Sequence, residues 1–262
     1  MMWQKLNALD ILHLEKARIQ LLNAVQLVSA VPRSFAQDSV ACFPKWNQQT
    51  AQFYCMASSD SEKIQVAIDI KDLVLTLSGE NRHAEHLVLS GITYPMAFGW
   101  MQIKLDSFGL KGGLFNDTTS YKLEKTMGAD EEMIIIDQQI FDDIAIYYSN
   151  AAFMLQKVSE LPGNKGQLRI NPVDINMVLL SENPESYLIP GFSIGSRFYP
   201  EPHFFIQLTT SDQAIIEDYD SRGYLWRNKD WLGLLLPAVD FLSHDEDDEF
   251  NKVMNFFTNG IR

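Results

Sequence analysis

The sequence predicts an α+β fold, antiparallel β-sheet packed by helices, on three observations. Long apolar stripes at helical spacing mark several segments, period-two alternation marks others, and strand-like segments come in blocks flanked by helices. The chain has 262 residues, of which 46% are hydrophobic and 11% aromatic, enough to bury a large core. It reads as one α+β domain over 1–262 that divides into lobes 1–115 and 133–262, joined by a loop at 110–132.

Residues 6 to 30 read as an amphipathic helix, with Ile11, Leu14, Leu21, Leu22, Val25 and Val28 on one stripe and Pro32 as its stop. Strands follow. Gln52 to Ala57 is short and aromatic, and Ile64, Val66, Ile68 and Ile70 alternate on one face. Lys71-Asp72 makes a turn, Leu73, Leu75 and Leu77 resume the alternation, and His86 to Leu89 adds a strand. Thr93 and Pro95 open a second helix that Gly109 closes. Asp137 caps a third over 138–158, whose face carries Ile140, Ile144, Tyr147, Tyr148, Ala151, Leu155 and Val158. Strands return at 167–170, 175–180, 188–194 and 204–209, and residues 231–242 and 244–257 read as helices. Both halves thus run helix, several strands, helix, without a repeat at the level of residues.

Charge and motifs exclude several functions. There are 21 Lys and Arg against 34 Asp and Glu, a formal charge of −13, which repels nucleic-acid backbones and anionic membranes. The apolar stretch from Leu6 to Val31 is interrupted by Asp10, His13, Glu15, Lys16 and Arg18, too charged for a signal peptide or a membrane span. A cytoplasmic location is expected, with Cys42 and Cys55 as buried thiols; one disulfide in an exported protein is the alternative. No Walker A loop, GxGxxG, HExxH or kinase signature is present, and no cofactor is expected.

The candidate chemistry is sparse. Gly191-Phe-Ser193-Ile-Gly195 matches the pattern of a nucleophile elbow, but Pro200 and Pro202 oppose the helix that an elbow requires, so a glycine-flanked sheet corner is preferred. Ser243 and Glu246 read as a capping box opening an acidic first turn, in preference to a cation site. Asp218-Tyr-Asp220 begins like a calcium loop and fails at Arg222 and Lys229. His83 and His86 sit three apart in strand-like sequence, where that spacing sends them to opposite faces, so no metal site is expected. Tyr199-Pro-Glu-Pro-His203 is stiffened by its prolines; it either rims a pocket, with Glu201 and a titratable His203, or guards a sheet edge. His13 lies among Leu9, Leu12 and Leu14, where a core histidine is the commoner outcome.

The order of these pieces resembles an uncharacterised bacterial family, domain of unknown function 5996, over most of the chain. Leu12-His13-Leu14 is similar to the family's early Leu-His helix, and Ile68 to Leu77 with the helix ending near Gly109 to its hairpin and next helix. Gly191-Phe192, Phe198-Tyr-Pro-Glu-Pro202 and Gly233-Leu-Leu-Leu-Pro237 are similar to its later stretches. Leu168-Arg-Ile-Asn-Pro-Val-Asp174 departs from it: of the family's His, Trp and Asp in that strand it keeps only the Asp. The resemblance implies that Gly191 to Gly195 is architecture rather than an elbow, and it implies no activity.

The expected function is therefore that of a non-catalytic small-molecule-binding or interaction protein, with His13, Tyr199, Glu201 and His203 as ligand-binding candidates. The alternative is a hydrolase-like enzyme that uses His203 and Glu201, with Ser193 as a further catalytic candidate. Nothing in the sequence sets an oligomeric state.

Overall fold

The computed structural model describes residues 2–35, 44–58, 63–110, 127–128, 130–135, 137–162, 166–170, 174–180, 187–195, 199–210, 216–217, 225–227 and 231–261. Cys42, Phe198, the calcium-like stretch 218–222 and most of the expected loop, 111–126, lie outside them. The fold is α+β with antiparallel sheets. The chain forms two compact units, Leu12–Ala145 and Met1–Ile11 with Ile146–Arg262. The chain passes between the units at Ile11/Leu12 and at Ala145/Ile146.

The unit Leu12–Ala145 holds α1 (Ile11–Phe35, which begins at its border), β1 (Lys45–Asn47), β2 (Gln52–Ser58), β3 (Lys63–Asp69), β4 (Val74–Gly79), β5 (Glu85–Val88), β6 (Ile92–Thr93), α2 (Tyr94–Ser107) and β7 (Glu132–Met133). Strands β1 to β5 form a meander in sequence order, and β6 pairs with β7. The period-two alternation decides the register of the meander: Val66 faces Leu77 and Ile68 faces Leu75, all four buried. Asp69 turns the chain, accepting from the N–H groups of Lys71 and Asp72 at 2.9 and 3.4 Å. Thr93 caps α2 by accepting from Met96 N–H at 3.4 Å, and Gly109 follows that helix at φ +85°.

Two details of α1 depart from expectation. It starts at Ile11 rather than Leu6, and it runs through Pro32 to Phe35. A proline in the last turn removes one backbone donor and leaves the earlier turns intact. Two buried amides on α1 serve other segments: Asn23 accepts from Met127 N–H at 3.4 Å and Gln20 from Ile134 N–H at 3.1 Å.

Helix α3 (Gln138–Ser159) crosses the division. Its expected stripe from Ile140 to Val158 is buried throughout, and Asp137 accepts from Gln139 N–H at 3.0 Å. The second unit adds β8 (Gly166–Ile170), β9 (Asp174–Leu180), β10 (Tyr187–Ser193), β11 (His203–Thr209), β12 (Leu225–Arg227), β13 (Leu232–Pro237), α4 (Ala238–Phe241) and α5 (Glu246–Gly260). Its six-stranded sheet has the order β12-β13-β11-β10-β9-β8.

Residues 231–242, expected to be one helix, are instead a strand over Leu232–Pro237 and a single helical turn over Ala238–Phe241. Gly233 and Pro237 explain the correction, since both are poor interior helix residues. Pro237 ends β13 and leads into α4, while Gly233 lets β11 approach: a Cβ there would lie 2.3 Å from Ile206 O. Helix α5 is capped by Asp245, which accepts from Asp247 and Asp248 N–H at 2.8 and 3.2 Å, so the expected Ser243/Glu246 box is replaced by an acid nearer the first turn. The core of this unit is aromatic. The Phe204 ring lies 5.1 Å from Phe192, 5.3 Å from Phe241 and 5.8 Å from Phe257, and Tyr147 stacks on Phe192 at 5.7 Å.

Candidate functional site

Two of the sequence candidates, Ser193 and His203, meet on one side of the six-stranded sheet. Strand β11 begins at His203, whose register partner is Ser193 on β10; Ser193 in turn pairs with Asp174 on β9. Paired residues share a face, so Asp174, Ser193 and His203 form a row across three strands. The stiff segment Tyr199–Pro202 leads into β11. Pro202 O accepts from Ala238 N–H at 2.9 Å, tying the segment to the start of α4. Gly195 stands at φ +123°, and a Cβ on it would lie 2.4 Å from Pro200 O, so only glycine fits this corner.

The imidazole of His203 is buried, only 5% exposed. Its Nδ1 lies 2.7 Å from Glu201 O. A carbonyl only accepts, so Nδ1 carries the proton and Nε2 the lone pair of the neutral ring. Burial pushes the His203 pKa down to about 4, against the opposing pull of the Glu201 carbonyl. The ring of Tyr199 stands edge-on to His203 at 5.2 Å and to Trp226 at 5.6 Å. Burial raises the Tyr199 hydroxyl above its ordinary value, and the carboxylates of Glu201 and Asp240 add to the effect.

This geometry does not build a hydrolytic triad. A triad needs the imidazole between carboxylate and hydroxyl, with the carboxylate on Nδ1. Here serine stands between Asp174 and His203 in the row, and Nδ1 is bonded to a main-chain carbonyl. A base with a pKa of about 4 is also far from the neutral range that suits proton abstraction. Ser193 closes β10, is buried, and its Oγ accepts from Gly195 N–H at 3.3 Å. It has the geometry of a sheet corner.

His13 belongs to the other unit and is not a core residue. It is about half exposed on α1 and lies 3.8 Å from the Asp137 carboxylate. His83 lies in the turn before β5, beside an open hollow of about 600 Å³ that Arg82 and Phe108 also line. His86, on β5, shares a 3.0 Å hydrogen bond with Thr76. Cys55 is buried in β2. Among the described residues no group of three or more His, Cys, Asp or Glu side chains could hold a metal ion, and no helix is long and apolar enough to cross a membrane.

A further hollow lies elsewhere in the second unit, between β13, α4 and α5. A groove of about 760 Å³ is lined by Leu234, Leu236, Phe256 and Gly260, with Asp240, Lys252, Asn255 and Asn259 as its polar residues. Leu234 and Leu236 alternate along β13 onto the face that meets α5. Gly260 lets the end of α5 close on the sheet: a Cβ there would lie 2.4 Å from Ile206 Cδ1. Lys252 is engaged by Asp248 at 3.0 Å, and this bond, with one from Ser243, holds the Asp248 carboxyl below its ordinary range. Among the described residues Asp240 has no ion pair.

None of these groove residues is a site candidate in the sequence. The signal that exposes them is the pair Gly233 and Pro237, which turns a supposed helix into a strand and brings alternate leucines to one face. Comparison with known families, curated proteins and solved structures finds no match to this chain.

Proposed function

We propose that this chain is a non-catalytic binding protein for a small amphipathic molecule, held in the groove between β13, α4 and α5. The observation that carries the proposal is the groove itself. Its volume of about 760 Å³ lies within the usual range of small-molecule sites, roughly 300–1,000 Å³, and it joins an apolar floor to a few polar side chains. Leu234, Leu236 and Phe256 suit an apolar body. With Lys252 committed to Asp248, Asp240 gives the rim an acidic bias, which favours an ammonium or another cationic head. The buried, weakly basic His203 supports a binding role over a hydrolytic one. Of the stretches that resemble domain of unknown function 5996, Gly-Leu-Leu-Leu-Pro supplies Leu234 and Leu236 to this groove, and Pro202 of Tyr-Pro-Glu-Pro bonds Ala238 at the start of α4. Cytoplasmic residence belongs to the same proposal, on the charge of −13 and the buried Cys55.

The test pairs thermal-shift measurement with amide chemical-shift mapping, using short alkyl amines and the carboxylates of matching chain length. Amines are expected to raise the melting temperature and to perturb β13 and α5, with Asp240→Asn weakening the effect severalfold. Equal response to the carboxylates, or perturbations elsewhere, would overturn the ligand class and the site. Chemical conversion of any ligand by the protein would overturn the non-catalytic reading.

A further inference from the structure

Residues 2–10 have no regular secondary structure, yet they are held like a bound peptide. Backbone outside regular secondary structure that packs against protein must find partners for its N–H and C=O groups. Here side chains supply them. Asn150 on α3 reads Gln4 at both ends: Gln4 N–H donates to Asn150 Oδ1 at 3.0 Å, and Asn150 Nδ2 donates to Gln4 O at 2.7 Å. Leu6 N–H donates to Glu249 Oε2 at 3.1 Å, and Tyr147 OH donates to Asn7 O at 2.8 Å. Tyr147 and Asn150 are three apart on α3 and so share a face.

Side chains add the anchors. Trp3 is 7% exposed, with its ring 6.2 Å from Phe204 and 6.0 Å from Phe250, and its Nε1 donates to Glu249 Oε2 at 3.3 Å. The Lys5 ammonium bonds Glu249 Oε1 and Ser243 O. Leu6 is buried, whereas Gln4, Asn7 and Ala8 are exposed. Every group named lies in the same compact unit. Main-chain bonds that give affinity, joined to a few side-chain anchors that give specificity, are the features of extended-peptide recognition.

We infer that Tyr147, Asn150, Phe204, Ser243, Glu249 and Phe250 form an extended-peptide site, which residues 3–7 occupy as a replaceable strap. The partner it fits is an extended segment with an aromatic ring, a cation two residues further on and an aliphatic side chain next, the pattern of Trp3-Gln-Lys5-Leu6. This site is distinct from the β13–α5 groove and does not depend on the function proposed for it.

The test uses the full chain and a fluorescent peptide of residues 2–8. In the intact chain the tethered strap competes at an effective concentration on the order of millimolar, which suppresses peptide binding. Weakening the strap with Trp3→Ala and Lys5→Ala is expected to increase peptide affinity at least tenfold by polarisation. The peptide should also raise that variant's melting temperature. Adding Asn150→Ala should remove most of the gain, and a peptide carrying Ala in place of Trp3 and Lys5 should not bind. A strap-weakened chain that stays folded by circular dichroism and ignores the peptide would refute the inference, as would binding indifferent to Asn150→Ala. If that variant does not fold, a full chain cut at a protease site inserted after Ala8 gives the same decision. Exchange of the cut strap for labelled peptide supports the site, and failure to exchange or rebind refutes it.

Discussion

Acidification should unload a definite amount of stability through His203. The ring is buried, and its pKa falls from the ordinary 6.5 to about 4 in the fold. Below pH 6.5 the unfolded chain takes up this proton while the folded chain does not. Stability is therefore complete at neutral pH, declines as pH falls from about 6.5, and stops declining from this source below about pH 4. At about 1.4 kcal/mol per tenfold difference in proton affinity, the loss is roughly 2 kcal/mol at pH 5 and about 3 kcal/mol near pH 4. Carboxylates also titrate in this window, so the effect is best isolated against His203→Asn, whose amide N–H can take the place of Nδ1 toward Glu201 O. Urea unfolding of both proteins at pH 7, 6, 5 and 4 should give stabilities that converge by about 2 to 3 kcal/mol as pH falls. A nitrogen-detected titration should find His203 neutral, protonated on Nδ1, with a midpoint near 4. Parallel stability profiles, or a midpoint near 6.5, would refute both the burial argument and the tautomer.

Two substitutions probe the corners around this histidine and around α5. Gly195→Ala forces a Cβ onto Pro200 O at a positive φ and should cost about 3 kcal/mol in urea unfolding; a loss under about 1 kcal/mol would show that the Tyr-Pro-Glu-Pro segment is not wedged there. Asp245→Ala removes the acceptor for Asp247 and Asp248 N–H and should cost about 1 kcal/mol, with faster hydrogen exchange at those two amides, whereas Asp245→Asn should retain most of the protection.

What the sequence revealed depended on period and on distance along the chain. The meander over β3 and β4 was legible because alternate Ile, Val and Leu occupy one face, and α3 was legible because its stripe runs unbroken from Ile140 to Val158. The reverse held for β13. Three consecutive leucines carry no period, and there only the local punctuation by Gly233 and Pro237 distinguishes strand from helix. Short pieces such as β1 and the β6–β7 ribbon had too few residues to show any period. The Tyr199–His203 stretch was recognisable as stiff and distinctive. Which nitrogen of His203 holds the proton came only from the carbonyl two residues earlier, since extended sequence does not say that the ring folds back on it.

The acidic run from Asp245 to Glu249 shows how one composition divides into different tasks. Asp245 caps the helix, and Asp248 pairs with Lys252 one turn on. Glu246 and Asp247 add negative charge in the first turn, which the helix dipole favours. Glu249 shares that first turn and differs from the other acids in its burial. It falls on the buried stripe with Val253, Phe256, Phe257 and Gly260, at steps of four, seven, eight and eleven residues, and it is fully buried. That spacing is visible in the sequence, and a carboxylate on an apolar stripe must find donors or cost several kcal/mol. What sequence could not supply was their source. The donors are Trp3 Nε1, Lys5 Nζ, Leu6 N–H and Ser243 N–H, and three of them come from more than 240 residues away. The buried carboxylate of this acidic run is therefore the anchor of the strap. Its negative charge is matched by a lysine of the chain's own N-terminal segment, so an acidic cluster read by composition alone points to the wrong partner.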